Sequence, residues 1–474
     1  MMNICVSIAP VSMAEAVRKL SSAGRKADLV EVRTDGMADV DLARLLRRSR
    51  PKVIITNRRA SEGGTFSGTA DEQFDFFSRA ISNGADFIDV EMSWGGERIS
   101  SLSKNPSRTK IIVSYHNFDE TPDKLEEVYA DMRKTGADIL KIATTANDIT
   151  DNRRVFALLR RAKRDRQKMI AFCMGERGQA SRILSARFGG FLTYATLAVD
   201  ECTAPGQFTV DDLKNIYRMT AFSSRTKVFG LVGNPVSQSK GIFYHNTIFK
   251  RKDVNAIYLN FLVDDLASFL DAFSGELHGF SVTMPFKERI IPFLETIDAA
   301  AEKLRAVNTV IVSKRRLTGS NTDLSAIIQI MMKKIQPRGK RIIVLGTGGT
   351  ARTLAFASAS LGAHTTVVGR SPDKARAMAA EFGCEWRLFD FLESLEADVL
   401  MNGTSVGMHP ETDPPLVPKK FFHRGMIVFD AVYRPEMTPL LTAAKSAHCR
   451  VITGMELFTL QARLQSKLFL EGLE

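Results

Sequence analysis

The sequence has few cysteines and no long apolar segment. Its 474 residues include five cysteines, an odd number, and no two of them form a C-x-x-C pair. This pattern excludes a disulfide-stapled scaffold and a structural zinc site, and it predicts a reducing compartment. No apolar run approaches the roughly 18 residues of a transmembrane helix, and the chain starts without the basic segment of a secretion signal. A cytoplasmic location away from membranes is therefore expected.

Low-complexity tracts, internal repeats and clusters of metal ligands are also missing, so no metal requirement is expected. The net charge of +12 is spread over both halves of the chain. The densest basic stretch, residues 153–168, interleaves lysines and arginines with apolar residues, as an amphipathic helix with a solvated face does. Because no helix-turn-helix or RNA-binding signature accompanies it, no nucleic-acid partner is expected.

Short apolar runs alternate with helix-patterned stretches in the first part of the chain, which is typical of a parallel sheet covered by helices. Eight such runs in roughly 200 residues predict a (β/α)₈ TIM barrel, with an open doubly wound sheet as the alternative. The runs occupy residues 3–8, 28–33, 52–56, 86–92, 110–116, 138–143, 168–174 and 191–195.

Polar residues recur at the carboxyl ends of these runs, where a barrel enzyme carries its chemistry. They are Glu31, Arg33, Arg58, Glu91, His116 and Lys141. Each alone is typical of a solvated loop. So many in one sheet favour a catalytic site.

Lys141 lies within an apolar run, where an ammonium must reach solvent or lose its charge. A desolvated lysine becomes a nucleophilic amine that can form a Schiff base with a ketone. The alternative is a charge that protects an edge strand. His116 can transfer a proton, and Glu62 on the loop after the third run can orient its imidazole. Later loops offer donors for a carboxylate and hydroxyls from Arg182 and Gln207.

The pattern breaks at residues 223–227, a polar stretch that we interpret as a domain boundary. Beyond it, two series of strands and helices predict two α/β lobes. The predicted domains are residues 1–222 and residues 227–474. Within the second, residues 227–322 and a C-terminal helix at about 454–474 form a substrate lobe, and residues 323–453 form a nucleotide-binding lobe.

The stretch RIIVLGTGGTARTLAF reads as an apolar strand, a glycine-rich turn and a helix start, with Gly346, Gly348 and Ala351 in the G-x-G-x-x-A spacing. Such glycines let the backbone approach a pyrophosphate at a helix N-terminus. The next strand ends without an acidic residue for a ribose hydroxyl. The side chains it offers instead are Arg370, Ser371 and Lys374. Positive charge and a hydroxyl fit a 2′-phosphate, so a Rossmann lobe that binds NADP rather than NAD is predicted.

Four short polar motifs precede this turn: GNPVSQSK, GFSVTMPFKE, AVNTV and GSNTD. Ser237 and Ser239 can bind a carboxylate, and Lys287 with Asp323 makes an acid/base pair suited to a ketone. Singly, each motif is ordinary turn chemistry.

Six motifs of the first half resemble the type I 3-dehydroquinate dehydratases over residues 3–222: EVR, TNRRASEGG, SYHNFDETP, ADILKIA, MGERGQASR and APGQF. The resemblance implies an imine between Lys141 and 3-dehydroquinate, with His116 as general acid/base supported by Glu62. The residues it implies for substrate binding are Glu31, Arg33, Arg58, Arg182, Thr203 and Gln207. Tyr194 departs from the pattern, because the family usually has phenylalanine there.

The motifs of the second half, with MNGTSVGM, FDAVYRPEMTPLL and GMELFTLQA, resemble the shikimate dehydrogenases over about residues 227–470. This resemblance implies that Lys287 and Asp323 serve the proton step while NADPH reduces 3-dehydroshikimate. The residues implied to bind the acid are Ser237, Ser239, Thr283, Asn308, Asp323, Tyr433 and Gln461. At the nucleotide turn, Gly349 joins the residues already named.

Together the resemblances predict a bifunctional enzyme of aromatic amino acid biosynthesis that acts on small molecules. A lyase would convert 3-dehydroquinate to 3-dehydroshikimate, and an oxidoreductase would reduce that product to shikimate. One alternative is an NAD-dependent quinate or shikimate oxidoreductase working in the catabolic direction, which the segment 370–374 opposes. The other is a regulatory protein that binds such ligands without turnover, which the presence of Lys141, His116, Lys287 and Asp323 opposes.

Overall fold

A computed structural model describes residues 2–47, 50–103, 107–314, 316–409, 414 and 416–473. The chain folds into two compact units, Met1–Leu277 and His278–Glu474. The first unit begins with nine strands: β1 (Asn3–Ile8), β2 (Leu29–Arg33), β3 (Lys52–Thr56), β4 (Phe87–Glu91), β5 (Lys110–His116), β6 (Ile139–Thr145), β7 (Lys168–Met174), β8 (Leu192–Thr196) and β9 (Phe208–Thr209). Its helices up to that point are α1 (Met13–Gly24), α2 (Leu42–Leu45), α3 (Ala70–Ser82), α4 (Gly96–Ser103), α5 (Leu125–Lys134), α6 (Asn152–Arg164), α7 (Gln179–Phe188) and α8 (Val210–Asn215).

Strands β1 to β8 form one parallel sheet in the order β7-β6-β5-β4-β3-β2-β1-β8, and β9 extends it beside β8. This is the neighbour order of an eight-stranded barrel, and it confirms the predicted fold class of the first half. No ladder joins β7 to β8 in the part of the chain that the structure describes. At that seam the backbone N–H of Phe191 donates to the carbonyl of Met169 (2.8 Å).

Three aspartates fix the amino ends of the strands. Asp28, Asp86 and Asp138 directly precede β2, β4 and β6, and each carboxylate accepts a hydrogen bond from the backbone N–H of the second residue in the preceding strand (2.8–3.0 Å). A buried strand start would otherwise leave that donor without a partner. The carboxylates at this end of the barrel therefore have a structural use, and the polar residues of interest lie at the other end.

The first unit continues with β10 (Lys227–Gly233), α9 (Gly241–Arg251), β11 (Ala256–Leu262) and α10 (Leu266–Phe273). The predicted basic helix is α6, but its basic face is not simply solvated, because part of it packs against α10 and its flanks. Arg153 pairs with Asp271 (2.8 Å), Arg160 pairs with Glu276, and the α6 side chain Phe156 meets Phe273 edge to face. Charge and apolar contact thus hold the barrel and this segment together.

The second unit contains β12 (Gly279–Val282), β13 (Thr296–Ile297), α11 (Ala299–Leu304), β14 (Thr309–Ser313), β15 (Arg316–Ser320), α12 (Thr322–Ile330), β16 (Arg341–Leu345), α13 (Gly349–Ser360), β17 (His364–Gly369), α14 (Pro372–Phe382), β18 (Glu385–Leu388), β19 (Val399–Asn402), β20 (Ile427–Asp430), α15 (Pro439–Ser446), β21 (Arg450–Ile452) and α16 (Gly454–Glu471). Strands β12, β14, β15 and β13 neighbour one another in that order.

The remaining strands form a six-stranded parallel sheet, β18-β17-β16-β19-β20-β21, which is a Rossmann arrangement. Alternate residues of β16 face opposite apolar cores: Ile342 and Val344 pack in one, Ile343 and Leu345 in the other. A parallel sheet covered by helices on both faces requires this continuous apolar run. The buried run ends at Leu345, so β16 stops there and the glycine-rich turn begins. None of the described helices is long and apolar enough to cross a membrane.

Candidate active sites

One cavity at the carboxyl ends of the barrel strands gathers every residue that the dehydratase resemblance implies; Glu91, also noted at a strand end, does not line it but lies 3.5 Å from Arg58. It is lined by Glu31, Arg33, Arg58, Glu62, His116, Lys141, Arg182, Thr203 and Gln207, together with apolar side chains that include Phe118, Phe172 and Tyr194. These residues come from several strands and the loops that follow them. The barrel topology therefore brings together side chains that are far apart in sequence.

Lys141 is buried, and its neighbours are carboxylates. Its Nζ donates to Asp89 Oδ2 (2.8 Å) and lies 3.6 Å from Glu31 Oε1. Its strand, β6, pairs with β5 on one side and β7 on the other, so the edge-strand interpretation of this lysine is wrong. The ring of Tyr194 covers the ammonium at 4.6 Å from its centroid. An amine held in this way has a fixed position at the floor of the cavity.

Asp89 is the first of the site residues that the sequence did not single out. Its fully buried carboxylate also accepts from Arg58 Nη2 (2.7 Å) and Ser114 Oγ (2.6 Å). Burial disfavours its ionised form, but the charges of Arg58 and Lys141 outweigh burial and hold the pKa of Asp89 well below its usual range. An acidic residue inside the apolar run FIDVE was the available signal. Arg58, which we expected only to hold substrate, is also a partner of this carboxylate.

His116 ends β5 beside Glu62. Its Nδ1 lies 3.2 Å from Glu62 Oε2, and its ring stacks on Phe118. Burial and the positive charges of Arg58 and Lys141 lower the pKa of His116 well below its ordinary value. Burial also raises the pKa of Glu62. A neutral imidazole, oriented by the neighbouring carboxyl group, can accept a proton at neutral pH.

Arg182 supplies a buried positive charge that pairs with no carboxylate among the described residues. Its Nη2 donates to the carbonyl of Pro205 (3.0 Å), while Nε and Nη1 are buried without a hydrogen-bond partner among the described residues. Burial lowers its pKa to about 10. A buried guanidinium with two nitrogens left without a partner is costly, and a planar carboxylate is the ligand that satisfies it best.

The remaining predicted residues of this cavity lie on its rim. Thr203 and Gln207 bond each other, with the Thr203 backbone N–H donating to Gln207 Oε1 (2.9 Å). Arg33 is held by Asp35 through two hydrogen bonds of 2.7 and 2.8 Å. Asp35 is a second residue that the sequence did not single out.

In the second unit, the structure brings Lys287 and Asp323 together as predicted. Lys287 Nζ donates to Asp323 Oδ2 (2.7 Å), and both side chains are partly exposed. Asp323 lies in the first turn of α12, whose N-cap Asn321 accepts from the backbone N–H of Leu324 (2.9 Å). The pair can therefore exchange a proton with a ligand at the start of this helix.

A buried polar network lies beside this pair. Asn308 Oδ1 accepts from the backbone N–H of Thr322 (2.8 Å), and Gln465 Nε2 donates to the Asn308 carbonyl (3.1 Å). Gln461, the predicted ligand, lies one turn earlier on α16 and is less buried. Gln465 was not predicted, because the motif GMELFTLQA ends before it. The network fixes α12 and α16 relative to β14.

The other predicted acid ligands are placed by separate loops. Thr283 follows β12 in a tight turn, where its carbonyl accepts from the Phe286 backbone N–H (2.9 Å). Tyr433 follows β20, its ring lies 5.3 Å from that of Phe458, and burial raises its pKa. In the first unit, Ser237 is exposed after β10, and Ser239 Oγ accepts from the Gly241 backbone N–H (3.1 Å) at the start of α9.

The glycine-rich turn follows β16 as predicted. Gly346 has φ +103°, and a Cβ there would lie 2.8 Å from the Thr404 side chain. A Cβ at Gly348 or Gly349 would meet nothing within 4 Å, which leaves open space over the start of α13. Ala351 is fully buried against Gly403, where a Cβ would collide with the helix backbone. The turn has the close packing and the open space that a pyrophosphate requires.

Beyond β17, Arg370 and Lys374 are exposed, and neither forms an ion pair with any described side chain. Ser371 caps α14 by accepting from the Lys374 backbone N–H (3.5 Å). Two free cations and a hydroxyl at this strand end fit a 2′-phosphate. Among the described side chains, no group of three or more His, Cys, Asp or Glu residues is placed to hold a metal ion.

Comparison with known proteins finds family matches in both halves of the chain. A family model described as type I 3-dehydroquinase matches residues 4–223, and one described as the shikimate dehydrogenase substrate binding domain matches residues 231–310. A bifunctional 3-dehydroquinate dehydratase/shikimate dehydrogenase of Arabidopsis thaliana is 36% identical, over 98% of this chain and 81% of the relative. The chain belongs to this bifunctional family.

A second relative of similar length is the shikimate biosynthesis protein AroDE of Chlamydia pneumoniae, which is 27% identical over 98% of this chain and 95% of its own. A solved shikimate dehydrogenase in complex with NADP⁺ is 31% identical, covers 52% of this chain and 91% of its own, and superposes with a TM-score of 0.50. Membership in the bifunctional dehydratase/dehydrogenase family confirms the predicted fold class and the two predicted activities.

Proposed function

We propose that this chain dehydrates 3-dehydroquinate at the barrel cavity and reduces the product, 3-dehydroshikimate, to shikimate with NADPH in its second half. The observation that carries the proposal is the cavity that brings together Lys141, His116 and Arg182, whose Nε and Nη1 have no hydrogen-bond partner among the described residues. A nucleophile, a base and an anion-binding group are what imine chemistry on a keto acid needs.

At the first site, Arg182 binds the substrate carboxylate, and the amine of Lys141 attacks the ketone carbon. Loss of water leaves a protonated imine, which acidifies the neighbouring carbon so that the neutral imidazole of His116 can remove its proton. The imidazolium then protonates the departing hydroxyl, and hydrolysis of the imine releases the product and restores Lys141. The substrate is also held by the other polar residues of the cavity, which are Glu31, Arg33, Arg58, Thr203 and Gln207.

At the second site, Lys287 and Asp323 hold and move the proton that the carbonyl oxygen gains on reduction. Their direct hydrogen bond places both groups where they can pass a proton to a bound ligand. NADPH, when bound, supplies the hydride. The residues proposed to bind the acid and its hydroxyls are Ser237, Ser239, Thr283, Asn308, Tyr433 and Gln461.

The glycine-rich turn fits NADP. Gly346, Gly348, Gly349 and Ala351 would receive the pyrophosphate. The exposed cations at the end of β17, Arg370 and Lys374, with Ser371, would bind the 2′-phosphate. This charge pattern supports NADP over NAD.

We also propose that the two activities divide at residues 223–227, with the dehydratase in residues 1–222 and the dehydrogenase in residues 227–474. Within the dehydrogenase, the proposed substrate lobe comprises residues 227–322 and the helix from 454, and the NADP lobe comprises residues 323–453. The extents of the two family matches support the division. A cytoplasmic location and the absence of a nucleic-acid partner remain predictions.

The test is NADPH oxidation by the purified chain supplied with 3-dehydroquinate alone or with 3-dehydroshikimate. Both substrates should cause NADPH oxidation, because the product of the first site feeds the second. Lys141→Met should abolish oxidation with 3-dehydroquinate and leave oxidation with 3-dehydroshikimate intact. Borohydride added with 3-dehydroquinate should add the mass of the trapped ligand at Lys141.

An unmodified lysine after this treatment would refute the imine. Failure of the wild type to oxidise NADPH with 3-dehydroshikimate would refute the dehydrogenase assignment. A preference for NADH over NADPH would support the catabolic alternative.

A further inference from the structure

The loop after β7, residues 175–178, directly follows Met174, which lines the dehydratase cavity, and it also contacts the segment that follows the barrel. It connects to the cavity through the carbonyl of Pro205, which accepts from the Gly175 backbone N–H (3.4 Å) as well as from Arg182. A Cβ at Gly178 would lie 2.4 Å from the Cys173 carbonyl, so the loop needs glycine there. The loop is therefore held in one tight conformation.

Arg177 is the residue of this loop whose side chain bonds to the segment that follows the barrel. The buried side chain of Asn152 donates to the Arg177 carbonyl (2.9 Å), which fixes its backbone. Its Nε donates to Asp264 Oδ2 (2.7 Å), and Asp264 lies between β11 and α10. The other carboxylate oxygen of Asp264 accepts from Asn234 Nδ2 (2.9 Å). A chain of two hydrogen bonds thus runs from the dehydratase loop to the residue that follows β10.

Asn234 begins the segment 234–239 that carries Ser237 and Ser239. Residues of the dehydrogenase half also hold this segment, since Asn260 Nδ2 donates to the Val236 carbonyl (2.8 Å). Asp264 is the anchor nearest its start, and Arg177 both neutralises Asp264 and orients the oxygen that Asn234 uses. Asn234 would otherwise bond to a carboxylate free to rotate toward solvent.

We propose that Arg177, in the dehydratase half, is a positioning residue for the acid-binding loop of the dehydrogenase half, acting through Asp264 and Asn234. The inference rests on the proposed role of Ser237 and Ser239. Binding of 3-dehydroshikimate then depends on a side chain supplied by the other enzyme. A residue with this role does not touch the substrate, so its loss weakens ground-state binding and transition-state binding alike.

The experiment measures the dehydrogenase reaction of the full chain, with 3-dehydroshikimate and NADPH each varied. Arg177→Ala should raise the KM for 3-dehydroshikimate about threefold, the size expected for one partly exposed ion pair. The kcat and the KM for NADPH should stay unchanged, and Arg177→Lys should restore part of the effect. Asp264→Ala should raise the same KM further, and adding Arg177→Ala to it should change nothing more, because the two residues act in series.

Arg153→Ala is the matched control. Arg153 pairs with Asp271 across the same packed surface (2.8 Å), but Asp271 has no hydrogen bond to segment 234–239 among the described residues. This control should leave every dehydrogenase constant unchanged.

An unchanged KM in Arg177→Ala would overturn the proposal, as would an equal rise in Arg153→Ala or additive effects in the double variant. Circular dichroism of each variant identifies loss of fold. A wild type inactive with 3-dehydroshikimate would instead refute the proposed function and remove the basis of the inference. The two failures are therefore distinguishable.

Discussion

Replacing Asp89 by asparagine tests the buried charge cluster at the floor of the barrel cavity. Asp89→Asn keeps the size of the side chain and removes the negative charge that faces Arg58 and Lys141. Removing one partner of a buried ion pair typically costs about 3–5 kcal/mol, because the remaining charge loses its compensation. In this variant Glu31 still lies 3.6 Å from Lys141, and Glu91 still lies 3.5 Å from Arg58. We therefore expect a loss at the lower end, about 3 kcal/mol.

The pH dependence of this loss has a definite sign. The pKa of Asp89 lies below its unfolded value, so its contribution to stability is fully present above the unfolded pKa of about 3.9 and is lost as the pH falls through the folded pKa. The difference in unfolding free energy between wild type and Asp89→Asn should be constant near neutral pH and should shrink in acid.

Urea unfolding followed by tryptophan fluorescence measures the effect. The chain has two tryptophans, so a Trp386→Phe background leaves Trp94 as the reporter of the dehydratase half. Trp94 is buried, and its Nε1 donates to Gln73 (2.7 Å). Asp131→Asn is the control, because its ion pair with Lys134 is exposed and should be worth less than about 1 kcal/mol. Equal losses in the two variants would refute the role assigned to Asp89.

Tyr194→Phe should stabilise the dehydratase half by about 1 kcal/mol in the same unfolding assay. The reason is that the Tyr194 hydroxyl is buried without a hydrogen-bond partner among the described residues. A loss of stability would contradict this prediction. The dehydratase kcat/KM should stay constant as the pH is lowered to 6.5, because the pKa of His116 lies well below that value. A pH–rate profile whose acid limb is centred at 6.5 would contradict the role of His116 as a neutral base. Joint replacement of Arg370 and Lys374 by alanine should raise the KM for NADPH at least about tenfold, with little change for NADH; equal effects on both nucleotides would exclude binding of the 2′-phosphate.

The strands of the barrel were predictable because buried parallel strands leave continuous apolar runs. The predicted runs 3–8, 52–56, 110–116 and 168–174 coincide with β1, β3, β5 and β7. That the residues at their carboxyl ends lie close together could be predicted from the topology, since a barrel brings those ends together.

The partners of those residues were less predictable. Gln465 lies beyond its motif and carries no sequence signal. Asp89 is marked only as an acidic residue inside an apolar strand, which gives no sign of its partners. Their roles depend on which side chains face them across the fold. The same holds for Arg153 and Arg160, whose helical periodicity identified α6 but whose partners lie more than a hundred residues away.

The contacts of α6 with residues 271–276 determine where the chain can be cut. A fragment that stops at residue 222 lacks Phe273, the partner of Phe156, and the carboxylates that pair with Arg153 and Arg160. An apolar and a basic surface of α6 would then be exposed together. A fragment that ends at Leu277 keeps these partners. Residues 271–276 therefore cover part of the dehydratase surface, and separating the two enzymes at the proposed boundary, residues 223–227, would destabilise the half that remains.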